Sequence, residues 1–190
     1  ADRARRLGTI ALSAPVFGLL GQNDRTTANR MAWMSLRHMT EDRVAVLAEE
    51  YVGDSLKSHV LQSGVELVKQ ARRAGHQVVL LSEGIREIAE PLSAELGRAD
   101  EVASNRLEYR AGECTGRLLS PVLGGNETVR WVKRYAEEND IDLSQSLAYG
   151  AHGPDMLLLA AVGKPCAVNP DYTLRRAAEE ADWPVVYCRD

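Results

Sequence analysis

The stretch GHQVVLLSEGIREIAEPLSAELG, Gly75 to Gly97, predicts a buried strand followed directly by a helix. Its first part is apolar from Val78 to Leu81 and ends in the polar residue Ser82, which is typical of a parallel strand buried on both faces. The segment Ile85–Leu96 predicts the crossover helix. Because ligands of open α/β sheets bind at the carboxyl ends of strands, we expect Ser82 to lie at a site.

The alternation of strands and helices continues to the end of the chain. The segment Asn105–Ser120 predicts a β-hairpin around RAGEC, and Glu127–Glu138 predicts a helix with Asn126 as its cap. SLAYG, PCAVN and PVVYC predict three more strands, with a helix around Leu174–Ala181 between the last two. The sequence therefore predicts an α/β fold with a mostly parallel, Rossmann-like sheet and helices on both faces.

The chain upstream of His76 has a helical pattern instead. Helices are predicted at Asn23–Met39, at Thr40–Val52 with Thr40 as its cap, and from about Ser55 to Ala74. We therefore divide the chain into a helical cap region, residues 1–75, and an α/β core, residues 76–190, with the hairpin as an insertion.

Composition narrows the classes of protein. The 190 residues carry a net charge of -4 with no basic cluster, which argues against a nucleic-acid partner. No apolar run reaches the roughly 18 residues that a membrane span needs. Cys114, Cys166 and Cys188 have no CxxC spacing and leave an odd thiol, so neither a disulfide framework nor a zinc site is indicated. We expect a cytoplasmic protein.

The order of these segments resembles the haloacid dehalogenase (HAD) superfamily, in its phosphoserine-phosphatase-like branch with a helical cap. The resemblance rests on Gly75–Gly97, on the hairpin segment NRLEYRAGECTGRLLSP, and on AYGAHGPDMLLLAAVGKPCAVNPDYTLRRAAEEADWPVV. It implies a phosphatase that forms an aspartyl-phosphate with magnesium. It also implies four sequence motifs gathered at the carboxyl ends of the strands.

The second motif of that family is retained. Ser82 occupies the position of its Ser or Thr, and Ser82, Glu83 and Gly84 would form the phosphate-binding turn. Taken alone, a serine between a strand and a helix serves equally well as a helix cap.

The third motif, which should supply a lysine, has lost it. The turn GGNETV places Thr128 where the resemblance implies the lysine, and a threonine cannot replace a cation. Lys133 lies more than a helical turn further along, where we expect a solvated surface charge.

The fourth motif is also altered. It should contain two aspartates, the first of which binds magnesium, but this chain has Ala151 at that position. His152 is a poor magnesium ligand and is expected at the surface. Asp155 matches the second acid, as a vestige of the metal site, and has an alternative role as the cap of a helix beginning at Met156.

The first motif, with its nucleophilic aspartate, is absent. In one register Gly8 and Thr9 belong to its tail, which puts Arg5 and Leu7 at the positions of the acids. In the register we prefer, Ala1 already lies in the cap and the missing strand is upstream. A family phosphatase cannot form its covalent intermediate without that carboxylate.

Three functions remain open at this point. The first is a catalytically inactive phosphatase-like domain with an assembly, regulatory or ligand-binding role, part of a larger polypeptide or not. The second is an active magnesium-dependent phosphomonoesterase whose nucleophile lies upstream. The third is a metal-independent module that binds phosphate or another anion near Ser82. We expect no cofactor, with magnesium only in the second case, and a small phosphorylated ligand in the third.

The resemblance also places the missing first strand in the middle of the sheet, between the strand ending at Ser82 and the strand ending at Gly150. Open strand edges are costly and promote pairing with other chains. We therefore expect upstream sequence, a strand from a protein partner, or direct pairing of these two strands to fill the gap.

Overall fold

The computed structural model describes residues 32–188. The helices of this range are α1 (Glu41–Tyr51), α2 (Gln62–Arg73), α3 (Arg86–Glu95), α4 (Asn126–Glu138), α5 (Met156–Leu159) and α6 (Tyr172–Glu180). The strands are β1 (Val79–Ile85), β2 (Glu101–Asn105), β3 (Leu107–Arg110), β4 (Glu113–Leu118), β5 (Leu147–Gly150), β6 (Lys164–Val168) and β7 (Val185–Val186).

The strands form three small sheets in the described part of the chain. β1 pairs with β2 and β5 with β6 and then β7, all in parallel, whereas β3 and β4 form an antiparallel hairpin. Parallel strands connected by helices confirm the predicted mixed α/β class. The described residues divide into two compact units, one of residues 32–60 and 64–122 and the other of residues 61–63 and 123–188. The proposed boundary between cap and core at residue 75 stays a prediction.

The predicted hairpin is confirmed, with a two-residue turn between β3 and β4. Ala111 and Gly112 have φ of 51° and 80°, the positive values that a tight hairpin turn of this kind requires. The outer edge of β4 is covered by the segment before α1. The amide of His38 donates to the carbonyl of Cys114, and the amide of Cys114 donates to the carbonyl of Met39, at 2.9 and 2.7 Å.

Each compact unit has its own hydrophobic cluster. The cluster of the first unit joins α1, β1 and the hairpin through Val44, Ile85, Leu107 and Cys114. The cluster of the second unit joins α5 and α6 to one face of the β5–β6 pair through Leu159, Leu174, Ala178, Ala148 and Ala167. Leu159, Leu174 and Ala167 are fully buried.

The predicted helix from Ser55 to Ala74 is wrong in its first half. Residues Val52–Leu56 form a π turn and Lys57–His59 a 3₁₀ turn, and α2 begins only at Gln62. The carbonyl of Ser55 explains the break, because the side chains of Ser58 and His59 bond to it at 3.1 and 2.7 Å. Such local side-chain bonds compete with the helical backbone pattern.

Two predicted helix caps and the bounds of β1 have different outcomes. Thr40 is confirmed as a cap, since its hydroxyl accepts from the amide of Arg43 at 3.3 Å. Asn126 is not a cap, because it is the first residue of α4 and Gly125 occupies the cap position without a side-chain bond. The strand predicted to end at Ser82 runs instead from Val79 to Ile85.

The predicted helix Asn23–Met39 falls mostly outside the described residues, as do Arg5, Leu7, Gly8 and Thr9 of the alternative register of the first motif. Within the described range this helix gives way to a 3₁₀ turn at Met34–Leu36, and Arg37 has an extended ψ of 138°. β1 has one described neighbour, β2, and β5 has one, β6. That something fills the gap between β1 and β5 stays a prediction.

Candidate functional site

The predicted phosphate-binding tripeptide forms an irregularity within β1. Leu81 pairs with Ala103 of β2 and the next pair is Ile85 with Asn105, so Ser82, Glu83 and Gly84 lie opposite a single residue. Such a bulge turns side chains away from the regular alternation of a strand. The strand therefore bends at the place where the sequence predicts a site.

Hydrogen bonds within the first unit hold this bulge in place. The amide of Gly84 donates to Oγ of Ser82 at 3.1 Å, and the amide side chain of Asn105 donates to the carbonyl of Glu83 at 2.7 Å. Asn105 is only 2% exposed, so its bond is shielded from water. This role of Asn105 was not predictable from local sequence, because it depends on the pairing between β1 and β2.

The loop after β5 is closed by the carboxylate of Asp155. Its Oδ2 accepts the amides of Ala151 and His152 at 2.8 and 2.9 Å. The loop passes so close to this side chain that a Cβ on Gly150 would lie 2.7 Å from the Cβ of Asp155. Asp155 makes no side-chain cap bond to α5, so it ties back into its own loop instead of capping the helix as predicted.

A second carboxylate, Asp171, ties the same loop to the segment after β6. Its Oδ2 accepts the amide of Gly153 at 3.0 Å, its Oδ1 accepts the amide of Leu174 at 2.8 Å, and its own amide donates to the carbonyl of Ala151 at 2.8 Å. Asp171 is also the side-chain cap of α6. Its position before a predicted helix is a capping signal in the sequence, but the contact with Gly153 is not visible there.

The surroundings of Asp171 change its acidity. Burial by itself raises the pKa of this carboxyl, but the amides of Leu174 and Gly153 and the nearby His152 outweigh burial and hold the pKa below its usual value. The carboxylate is thus kept ionised as an acceptor for the loop.

His152 differs from the expected surface residue. It is half-buried, and its Nδ1 is a buried atom with no hydrogen-bond partner within residues 32–188. Buried polar atoms are usually paired, so this nitrogen is an exception in an otherwise well-bonded loop.

The remaining predicted positions lie on α4. Thr128 is half-buried in its first turns and Lys133 is exposed further along, as predicted for a surface charge. Ala151 and Asp155 are brought together by a hydrogen bond, and Thr128 is in the same compact unit. Ser82, Glu83 and Gly84 belong to the other unit.

The donor set of the loop does not suit magnesium. Magnesium requires hard oxygen ligands in near-octahedral geometry. Ala151 offers no side-chain oxygen, and Oδ2 of Asp155 already accepts two amides. Within residues 32–188, no three His, Cys, Asp or Glu side chains are grouped so that they could hold a metal ion.

Comparison with known proteins gives consistent results. Residues 1–160 match the model of the haloacid dehalogenase-like hydrolase family. The chain is 29% identical over 171 residues to the inhibition of morphological differentiation protein of Streptomyces azureus, covering 88% of this chain and 61% of that protein. It is 32% identical over 143 residues to a phosphoserine phosphatase of Streptomyces coelicolor, covering 73% of this chain and 35% of that protein.

A solved structure supports the fold. A protein of unknown function from Bordetella pertussis Tohama I superposes with a TM-score of 0.80 at 23% identity, covering 98% of this chain and 82% of that one.

The chain spans less than two thirds of the length of the two Streptomyces relatives. No helix in the described range is both long and apolar enough to cross a membrane.

Proposed function

The chain belongs to the haloacid dehalogenase-like hydrolase family, in its phosphoserine-phosphatase-like branch, and we propose that it is a catalytically inactive domain of that family. It would serve assembly, regulation or ligand binding. The observation that carries the proposal is the loop of the fourth motif. Where the resemblance implies a metal-binding acid, Ala151 supplies only an amide, and the neighbouring Asp155 accepts that amide.

Charge around the other motif positions points the same way. Phosphoryl transfer depends almost entirely on electrostatic stabilisation of negative charge. Thr128 gives no positive charge in the position of the motif lysine, and Glu83 adds a negative one beside Ser82. Together these changes remove attraction for a phosphate group and add repulsion.

Internal hydrogen bonds also support a structural role for the retained residues. Ser82 accepts the amide of Gly84, and Asp155 accepts the amides of its own loop. Both residues therefore have a reason to be kept that does not involve catalysis. We retain the cytoplasmic location as part of the proposal, because Cys114, Cys166 and Cys188 form no disulfide.

A phosphatase assay tests the proposal. The purified 190-residue chain is incubated with p-nitrophenyl phosphate and with phosphoserine, with and without magnesium, beside the Ser82→Ala variant and an active phosphatase of the family. We expect no magnesium-dependent turnover above that of the variant. Robust turnover that Ser82→Ala abolishes would show that the domain is an enzyme.

The ligand-binding form of the proposal has its own measurement. Phosphate and phosphoserine are added without metal, and the unfolding temperature is followed, because a ligand of the folded state raises it. A rise that Ser82→Ala removes would assign the function to anion binding at the β1 bulge. The absence of a rise favours assembly or regulation through a protein partner, including one that supplies the missing central strand.

A further inference from the structure

A half-open groove lies beside the hairpin, entirely within the first compact unit. It has a volume of about 490 Å³ and is formed by β3, β4 and the segment before α1. Its charged residues are Arg37, His38, Glu108, Arg110, Glu113 and Arg117. None of them belongs to the motifs discussed above.

The two glutamates of the groove already have partners. Glu108 accepts from Nη2 of Arg110 and from Oγ1 of Thr115, both at 2.7 Å, and Oε2 of Glu113 is bonded to Nδ1 of His38 at 3.1 Å. The hydrogen bonds from Thr115 and Arg110 lower the pKa of Glu108. The negative charges are thus held by neighbours on the groove wall.

Unlike the two glutamates, the side chains of Arg37 and Arg117 have no hydrogen-bond partner on the groove wall among residues 32–188. Within residues 32–188, the guanidinium groups of Arg37 and Arg117 make no hydrogen bond, although Arg117 does interact electrostatically with Glu108. Each guanidinium offers planar donors that match a phosphate or a carboxylate. The groove therefore has more positive charge than its own acids neutralise.

The position of Arg37 is set by a close backbone contact. Gly116 of β4 has a φ of 77°, and a Cβ built on it would lie 3.0 Å from Cα of Met34 and 3.4 Å from Cβ of Arg37. The segment that carries Arg37 is therefore packed directly against Gly116 of β4. Arg117 is the next residue of that strand. This contact keeps the two unbonded arginines at one groove.

We propose that this groove binds an oxyanion, a phosphate or carboxylate group of a small molecule, through Arg37 and Arg117. The site is separate from the bulge at Ser82, and its role does not depend on whether the domain hydrolyses phosphate. His38 and Arg110 lie along the same groove and add donors at its rim.

Titration with inorganic phosphate and with citrate, followed by calorimetry at constant ionic strength, tests the site. The two anions distinguish a phosphate site from a carboxylate site. We expect saturable binding by the 190-residue chain, weakened about tenfold or more by Arg37→Ala with Arg117→Ala, since hydrogen bonds to charged groups are strong. Arg134→Ala, an exposed arginine on α4, is the matched control and should bind as the parent does.

One further variant tests the sign of the charge effect. Glu113→Gln removes a negative charge from the groove and should strengthen binding severalfold. Unfolding midpoints without anion check that every variant is folded. The proposal is overturned if no saturable binding occurs, if Arg134→Ala weakens binding as much as the double variant, or if Glu113→Gln weakens binding instead of strengthening it.

Discussion

Asp155 holds together a loop that would otherwise have unpaired amides. One oxygen of its carboxylate, Oδ2, accepts the amides of both Ala151 and His152, so Asp155→Asn replaces an ionised acceptor of two hydrogen bonds with a neutral one. We expect a loss of about 1–3 kcal/mol in the free energy of unfolding, measured by urea denaturation at pH 7. Asp182→Asn, at an exposed position, removes the same charge and should cost much less. Equal losses would mean that Asp155 acts only through net charge.

Asp171 makes stability depend on acid pH. Its pKa is lowered in the folded state, so its contribution is present above the unfolded pKa, about 4, and is lost as the pH falls through the folded value. Asp171→Asn should therefore reduce stability at pH 7 and flatten the dependence of stability on pH below about pH 4.

Urea denaturation of the parent and of Asp171→Asn at pH 7 and at pH 3 measures this effect. The difference between the two proteins should shrink at the lower pH, because the parent has by then begun to lose the same contribution. A difference that stays constant across this range would contradict the assignment.

At the scale of elements, the same substitution can be compared at a crowded glycine, Gly163, and at an open one, Gly64. Gly163 precedes β6, and a Cβ on it would lie 1.7 Å from the carbonyl oxygen of Ser144, a backbone atom that cannot rotate away. Gly163→Ala should destabilise the fold by about 1–3 kcal/mol or more. Gly64 lies in α2 with nothing within 4 Å of its Cβ position, so Gly64→Ala should stabilise it by about 0.5–1 kcal/mol.

Thermal or urea unfolding of both glycine variants decides the point. The expected results have opposite signs although the substitution is the same. Unchanged or increased stability of Gly163→Ala would show that the tight approach of Gly163 to Ser144 does not exist in solution.

The elements that could be predicted from the sequence are those specified by residues close together along the chain. The hairpin follows from alternating residues around RAGEC, the cap of α1 from Thr40, and α3 from its place directly after a buried parallel strand. The break before α2 was missed because it depends on side chains that bond to the carbonyl of Ser55. The roles of Asn105 and Asp171 were missed because their partners are about 20 residues away in sequence.

At the scale of the whole molecule, the inactivity that we propose should not be reversed by the repair of two motifs. Catalysis in this family requires a nucleophile, a cation and a metal acid together. Ala151→Asp with Thr128→Lys supplies only the last two, so we expect the double variant of this chain to show no turnover with magnesium, measured with p-nitrophenyl phosphate. Turnover by this variant alone would mean that the chain contains a nucleophile that the sequence analysis missed.

The α/β class of the molecule was predictable because alternating strands and helices allow few arrangements. What lies between β1 and β5 was not predictable. It depends on the first strand of the family fold, which the resemblance places there, and not on the residues of β1 or β5 themselves. Each of these strands has a single described neighbour. The strand that we expect between them stays a prediction, as does the division into cap and core.

The contact between the segment before α1 and β4 has a consequence for the folding pathway. His38 and Glu113 are 75 positions apart, whereas β3 and β4 are separated by two residues. Closing the long loop costs more chain entropy than closing the short one, so the hairpin should form early and receive His38–Thr40 late. Weakening the late contact, for example with His38→Ala, which removes the side-chain bond to Glu113, should then speed unfolding while leaving the rate of folding nearly unchanged.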